Sequence, residues 1–281
     1  VIVEGDTIMR RLTSCIASLA MLALLAAPAA ARPAMPTVYL ALGDSLAWGD
    51  GASVPAHTAY VPRLAGYFHG ASHGGAMDLV NLAVGGETTT SFLLSQLGPA
   101  LAVINDPTTD VRVVTISIAG NDLLDLINEP TDACAQDPAG PICQGQLFAA
   151  LGGVAANMPL ILGSLQAALE NDPGTEKVFV LTLYNPFGGT GSPYEVPIDL
   201  ALLGADLTVD CTALGNPLNA GLNDLVACTA AAFGDVVVET YDLFDDNALA
   251  LTHIGEGFNI HPNDEGYALI AKAHREADRA S

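Results

Sequence analysis

Short apolar runs alternating with stretches of helical spacing constrain this chain more than any other feature. Five runs read as strands: Thr37–Leu42, Asp78–Val84, Val111–Ile118, Lys177–Tyr184 and Val236–Thr240. The third, rich in β-branched residues, is the clearest of them. Between the first two lies Tyr60–Phe68, whose Val61, Leu64, Ala65 and Phe68 share one helical face. Further helices are expected over Glu87–Leu97, Leu123–Asn128, Gln146–Asn171 with a kink or break near Pro159, Pro217–Phe233 and Pro262–Ala280. Residues 129–146, 185–210 and 245–260 are Gly- and Pro-punctuated and read as loops. Apolar strands alternating with helices imply an α/β fold, a parallel sheet of about five strands covered on both faces.

In such sheets ligands bind beyond the carboxyl ends of the strands. Three of the runs end in polar or glycine-rich turns: Gly43-Asp44-Ser45, Gly85-Gly86 and Gly120-Asn121-Asp122. Parallel strands bring all three to one rim. There Ser45 is a candidate nucleophile, and it needs a base matched to neutral pH. His261, just ahead of the closing helix, is the favoured histidine, held by Pro262 in the first helical turn. His57, His69 and His73 are expected at the surface, and His274 is expected to be exposed among charged neighbours. The backbone N–H groups of Ser45 and Gly86 and the Asn121 amide form a candidate oxyanion hole. Gly85-Gly86 as a plain tight turn and Asn121 as a helix cap are the alternatives. Asp44 and Asp122 read as local turn and cap residues.

These blocks, in this order, resemble the SGNH (GDSL) hydrolase family. Gly43-Asp44-Ser45-Leu46 matches its serine block, and Asn81 to Thr89, with Gly86, matches its glycine block. Ala119-Gly120-Asn121-Asp122 matches its asparagine block, and His261 with the following Pro-Asn-Asp-Glu-Gly-Tyr matches its histidine block. The resemblance covers nearly the whole chain after the leader. It implies a three-layer α/β/α flavodoxin-like sandwich and an ester hydrolase that uses no cofactor and no metal. Two positions depart from the pattern. Ala119 replaces a glycine to which no chemical role attaches. Phe258 stands where the family usually has an aspartate behind its histidine, so the third triad member is open among Asn259, Glu256, Asp264 and a backbone carbonyl.

Composition bounds the partners. With 9 Lys+Arg against 31 Asp+Glu, the net charge of −22 repels nucleic acid and anionic lipid headgroups. Residues 1–31 read as a secretory signal: Arg10-Arg11, an apolar run from Cys15 to Ala27, then Pro28 and Ala29-Ala30-Ala31, with Met9 as a candidate translation start. Residues 32–281 then form a single SGNH-hydrolase-like domain, extracellular or periplasmic, with no later membrane-spanning stretch expected. In an oxidising compartment Cys134 is expected to pair with Cys143 and Cys211 with Cys228, each closing a short loop.

The function expected is hydrolysis of a lipid, a short acyl ester or an acylated carbohydrate through Ser45 and His261. The acyl pocket is expected to draw on Leu123, Leu124, Leu126, Phe187, Tyr194 and Leu200. Acyl transfer, carbohydrate deacetylation, or a weakly active binding or cell-surface role on the same fold are the alternatives.

Overall fold

The computed structural model describes residues 35–70, 76–127, 131–171, 176–209, 211 and 220–281. The expected leader, His73 and the expected helix start at Pro217 lie outside them.

Five parallel strands form one sheet: β1 (Thr37–Gly43), β2 (Met77–Asn81), β3 (Asp110–Ser117), β4 (Lys177–Leu181) and β5 (Val236–Val238), in the order β2-β1-β3-β4-β5. Chain order reverses direction between β1 and β3, so the switch point of the sheet lies between the Ser45 and Asn121 turns. Alternate residues feed two cores. Val38, Leu40 and Leu42 join Val114, Ile116 and Val180 on one face, and Tyr39 and Ala41 join Val113, Phe179 and Leu181 on the other. The pairing steps from Val38↔Val111 to Tyr39↔Val113, which makes Arg112 the extra residue of a bulge. The bulge resets the alternation, so Val111 and Val114 share a face, while Arg112 pairs with Asp110 at 2.7 Å.

Helices Thr89–Ser95, Leu97–Ile104, Pro141–Leu169 and Leu222–Phe233 cover the first face, and Tyr60–Phe68 and Asp264–Ala280 cover the second. The result is the expected three-layer sandwich. Several helix boundaries differ from expectation. The Glu87–Leu97 stretch divides at Gln96 into two helices, the second running on to Ile104. Gly120–Leu124 starts earlier than the expected helix over Leu123–Asn128. The long helix begins at Pro141, which fits a first-turn proline, and continues through Pro159 unbroken. The supposed loops contain helices Ala133–Gln136, Glu195–Leu203 and Ala248–Leu251. Pro262 lies outside the closing helix, bridged to Thr252, and Asn263 caps that helix by accepting from the N–H groups of Glu265 and Gly266.

By length and composition alone Pro141–Leu169 is apolar enough to cross a membrane, which the sequence reading did not anticipate. Its Val154, Met158, Ile161, Leu162 and Leu165 pack into the core against the sheet. Both expected disulfides are formed, Cys134–Cys143 and Cys211–Cys228. The first joins helix Ala133–Gln136 to the opening turn of the long helix.

His274 is fully buried rather than exposed. Tyr267, Ile270, Ala271, His274 and Asp278 make the inward stripe of the closing helix, and its charged neighbours Lys272, Arg275 and Glu276 point elsewhere. The ring stacks on Tyr60 at 5.1 Å, and Nδ1–H donates to the Ile270 carbonyl at 2.9 Å. Burial pushes its pKa down to about 4 from the ordinary 6.5. The unfolded chain therefore takes up a proton that the folded chain refuses, and stability present above the ordinary pKa is lost as pH falls towards about 4. His274→Leu should remove much of that loss. The drop in unfolding free energy between about pH 7 and pH 4, measured by urea titration, should shrink by on the order of 3 kcal/mol relative to the unaltered chain.

Candidate active site

The serine turn is built on Gly43. Its φ of +124° suits glycine, and a Cβ there would sit 1.9 Å from the Ser117 carbonyl oxygen. With only hydrogen at that position, β1 stays paired to β3 through its last residue, and Asp44 N–H donates to the same carbonyl at 2.9 Å. Asp44 then caps the short helix Ser45–Trp48 by accepting from Leu46 N–H at 3.0 Å, as expected of a local cap, and also faces Ser117 Oγ at 3.3 Å. Ser45 is the first residue of that helix. Burial pushes the Asp44 pKa up to about 7.

Buried Gln96 was not singled out in the sequence, yet its amide spans both backbone groups of Gly43. Its Oε1 accepts from Gly43 N–H at 2.6 Å, and its Nε2 donates to Gly43 O at 2.9 Å. Nε2 also lies 3.2 Å from a carboxylate oxygen of buried Glu87, which follows Gly86 in sequence. The glycine turn is thereby tied to the serine turn. The asparagine turn is tied to it as well: Asn121 Nδ2 donates to Glu87 O at 2.9 Å. Asp122 accepts from Thr89 N–H and Oγ1–H at 2.9 and 2.7 Å, a long-range clasp rather than the local cap expected. Gly86 has φ +77°, and among the described residues neither its N–H nor that of Ser45 has an acceptor. Ala119 is also left-handed, at φ +83° and fully buried, so the position carries a backbone requirement that the sequence reading missed.

Ser45 and His261 meet across the rim, with Ser45 Oγ 2.9 Å from His261 Nε2. The loop after Ser45 is laced to the histidine loop. His253 Nε2 donates to Gly51 O at 2.8 Å, Tyr267 OH to Asp50 O at 2.5 Å, and Ser53 N–H to Asp264 at 2.9 Å. Glu256 bonds His253 Nδ1 at 3.1 Å, and Asp264 is engaged with Ser53, whose hydrogen bonds hold its carboxyl down at about 2. Neither carboxylate bonds His261. Asn259 does: its Oδ1 lies 3.0 Å from Nδ1 and 3.2 Å from the His261 backbone N–H. A backbone N–H is only a donor, so the amide atom it meets is the oxygen. That oxygen in turn requires a proton on Nδ1, leaving Nε2 as an acceptor towards Ser45. Burial lowers the His261 pKa, partly opposed by Asp50 and assisted by His253.

An open cleft adjoins the pair, lined by Ser45, Asn121 and His261 and by an apolar wall. Of the expected wall residues, Leu123 and Leu124 line it. The rest of that wall comes from unanticipated residues, including Leu183 and Tyr184 just past β4 and Ile198 and Leu202 on helix Glu195–Leu203. Leu126 and Tyr194 line a neighbouring space instead, Phe187 packs with Tyr194, and Leu200 is exposed. Among the described residues no three His, Cys, Asp or Glu side chains gather as a metal-ligand set.

A doubly wound parallel sheet with a serine and a histidine meeting at its rim is the arrangement of a class of ester hydrolases. The model of the GDSL-like Lipase/Acylhydrolase family matches residues 41–269, and the chain belongs to that family. It is a carboxylic ester hydrolase. The fold is similar to that of the extracellular lipase of Streptomyces rimosus, at 22% identity and a TM-score of 0.55 over 86% of this chain and 99% of that one. It is similar to the lipase Lip_vut3 from a goat rumen metagenome, at 21% identity and a TM-score of 0.55 over 86% and 97%. It is also similar to the acetyl xylan esterase Axe2 of Geobacillus stearothermophilus, at 16% identity and a TM-score of 0.51 over 86% and 95%. No curated protein sequence matches the chain.

Gln96→Leu should leave Gly43 N–H without an acceptor, and should take one donor each from Gly43 O, which keeps Val84 N–H, and from Glu87, which keeps Ser95 Oγ–H. Each unsatisfied buried group costs roughly 1–3 kcal/mol. The thermal midpoint should therefore fall by about 5–10 °C. Ester turnover should fall with it even at temperatures where circular dichroism shows the variant fully folded.

Proposed function

We propose that this is a secreted serine esterase that hydrolyses carboxylic esters through an acyl-enzyme on Ser45, with His261 as general base and acid and Asn259 as its orienting partner. The observation that carries the proposal is the chain of contacts Ser45 Oγ to Nε2 at 2.9 Å and Nδ1 to Asn259 Oδ1 at 3.0 Å, in the tautomer that leaves Nε2 free to accept a proton.

Ser45 Oγ bonds to the ester carbonyl carbon as its proton passes to His261 Nε2. The carbonyl oxygen, now an anion, is met by the N–H groups of Ser45 and Gly86 and by the Asn121 amide. Asn121 gives one amide hydrogen to Glu87 O, which fixes the direction of the other. The tetrahedral carbon collapses, its bond to the alcohol oxygen breaks, and the alcohol leaves with the proton from Nε2. Water then repeats the sequence: its oxygen bonds to the acyl carbon, its proton goes to Nε2, and Ser45 leaves reprotonated as the acid is released. Secretion is supported by the two disulfides, which persist in oxidising compartments. An extracellular lipase of similar fold agrees with it.

Ser45→Ala should abolish both fluorophosphonate labelling and ester hydrolysis; labelling that persists in this variant overturns the assignment. The pH profile of kcat/KM should have its acid limb below the ordinary histidine value of 6.5, because burial favours the neutral base. Asp44 titrates nearby, so Asp44→Asn should keep that limb if His261 sets it. Asn259→Ala should lower kcat by about 10–100-fold, within the range for a mis-set general base. Asn259→Asp should move the acid limb to higher pH, because an adjacent carboxylate favours the imidazolium.

A further inference from the structure

Beside the cleft at Ser45 lies a second, smaller apolar chamber, partly open to solvent. Leu123 and Ile198 line both spaces, so the two are neighbours on either side of these side chains. The far side of the chamber is built by the Cys134–Cys143 disulfide and by Leu147 of the long helix. Apart from Tyr194, every lining side chain is apolar or a disulfide cysteine. The Tyr194 hydroxyl is already committed, donating to Ala135 O at 3.2 Å and so fastening the chamber wall to the disulfide segment. Nothing in this lining offers a hydroxyl or charge to a sugar. It offers surface to methylenes.

The geometry also gives a direction. Leu123 follows two residues after Asn121 in the turn that faces the ester carbonyl, whereas the leaving alcohol must lie where His261 can protonate it. The chamber is therefore on the acyl side of the bond. We infer that the acyl chain of the substrate passes from Ser45 between Leu123 and Ile198 into this chamber, which makes the enzyme selective for medium- and long-chain fatty acyl esters, with the disulfide-held segment setting how far the chain extends. The inference rests on the serine esterase reading above.

The test compares kcat/KM for p-nitrophenyl acetate, butyrate, octanoate and dodecanoate. Each methylene that leaves water for the chamber is worth up to about fourfold, so the unaltered enzyme should prefer octanoate or dodecanoate to acetate by at least about tenfold. Leu147→Trp fills the chamber from the helix that walls it, away from Ser45. It should lower dodecanoate turnover by about tenfold or more while leaving acetate within about twofold. Leu126→Trp fills the chamber from another side and should do the same, and the acetate rate reports folding in both. The double variant Cys134→Ser, Cys143→Ser should lose long-chain preference with acetate turnover retained. An unaltered enzyme that prefers acetate overturns the inference, as do filling variants that fold and scale all four esters equally; hydrolysis through Ser45 would still stand in either case. If no ester is hydrolysed and fluorophosphonate leaves Ser45 unmodified, the esterase reading itself fails and the inference falls with it.

Discussion

The rim of this enzyme depends on the contact between Gly43 and the Ser117 carbonyl. β1 must remain hydrogen-bonded to β3 through its final residue, yet the chain must turn at once to present Ser45. Only a residue without a side chain satisfies both, since a Cβ would lie 1.9 Å from that oxygen. The Gln96 amide accepts from Gly43 N–H and joins Val84 N–H in donating to the Gly43 carbonyl. A primary amide presents a donor and an acceptor side by side, so one side chain can meet the N–H and C=O of a single residue as a neighbouring strand would. Through Glu87 the same amide reaches the glycine turn, and through the Glu87 carbonyl the Asn121 turn. Three loops that approach from separate strands are thus one hydrogen-bonded unit.

Much of this architecture was legible in the sequence because its signals are local. The Val111–Ile118 run forms β3, and the inward stripe of Tyr60–Phe68 needs no more than helical spacing. What was not legible depended on partners far along the chain. Nothing in Phe92–Ala102 announces that the Gln96 side chain is buried against β1, because its partner is Gly43, more than fifty residues away. Likewise Asp122 reads as a cap until Thr89 is brought against it. His274 was misread for a different reason: its neighbours in sequence are charged, but its neighbours on the helical face are Tyr267, Ile270 and Ala271. Sequence adjacency was weighed where the 3.6-residue period should have been.

The partner of His261 shows the same division. A motif places the expected aspartate three residues earlier, at Phe258, which here is half exposed and packs against Phe187 and Tyr194. The residue in contact is Asn259, two before the histidine. A local signal existed, since Asn side chains habitually accept from the backbone N–H two residues on. That turn contact orients the amide, and the amide then holds the imidazole. Proximity in sequence could not separate Asn259 from Glu256 and Asp264, because the distinction lies in what else each carboxylate holds, His253 for one and Ser53 for the other.

An amide in this position suits the electrostatics of the chain. A protein with a net charge of −22 favours protonated histidine, and Asp50 adds to that tendency at His261. A buried carboxylate behind the ring would push further in the same direction and hold the resting base in its inactive charged form to higher pH. Asn259 fixes the tautomer without adding charge, and burial then keeps the ring neutral. Under the mechanism proposed above, the sacrifice falls on the transition state, where an amide stabilises imidazolium less than a carboxylate does. Asp44 answers a related difficulty beside Ser45. Under the same proposal an ionised carboxylate at that point would repel the developing oxyanion, but burial lifts its pKa to about 7, so a proton is held there over much of the acid-to-neutral range. In both places desolvation holds the neutral form, removing a negative charge at Asp44 and withholding a positive one at His261.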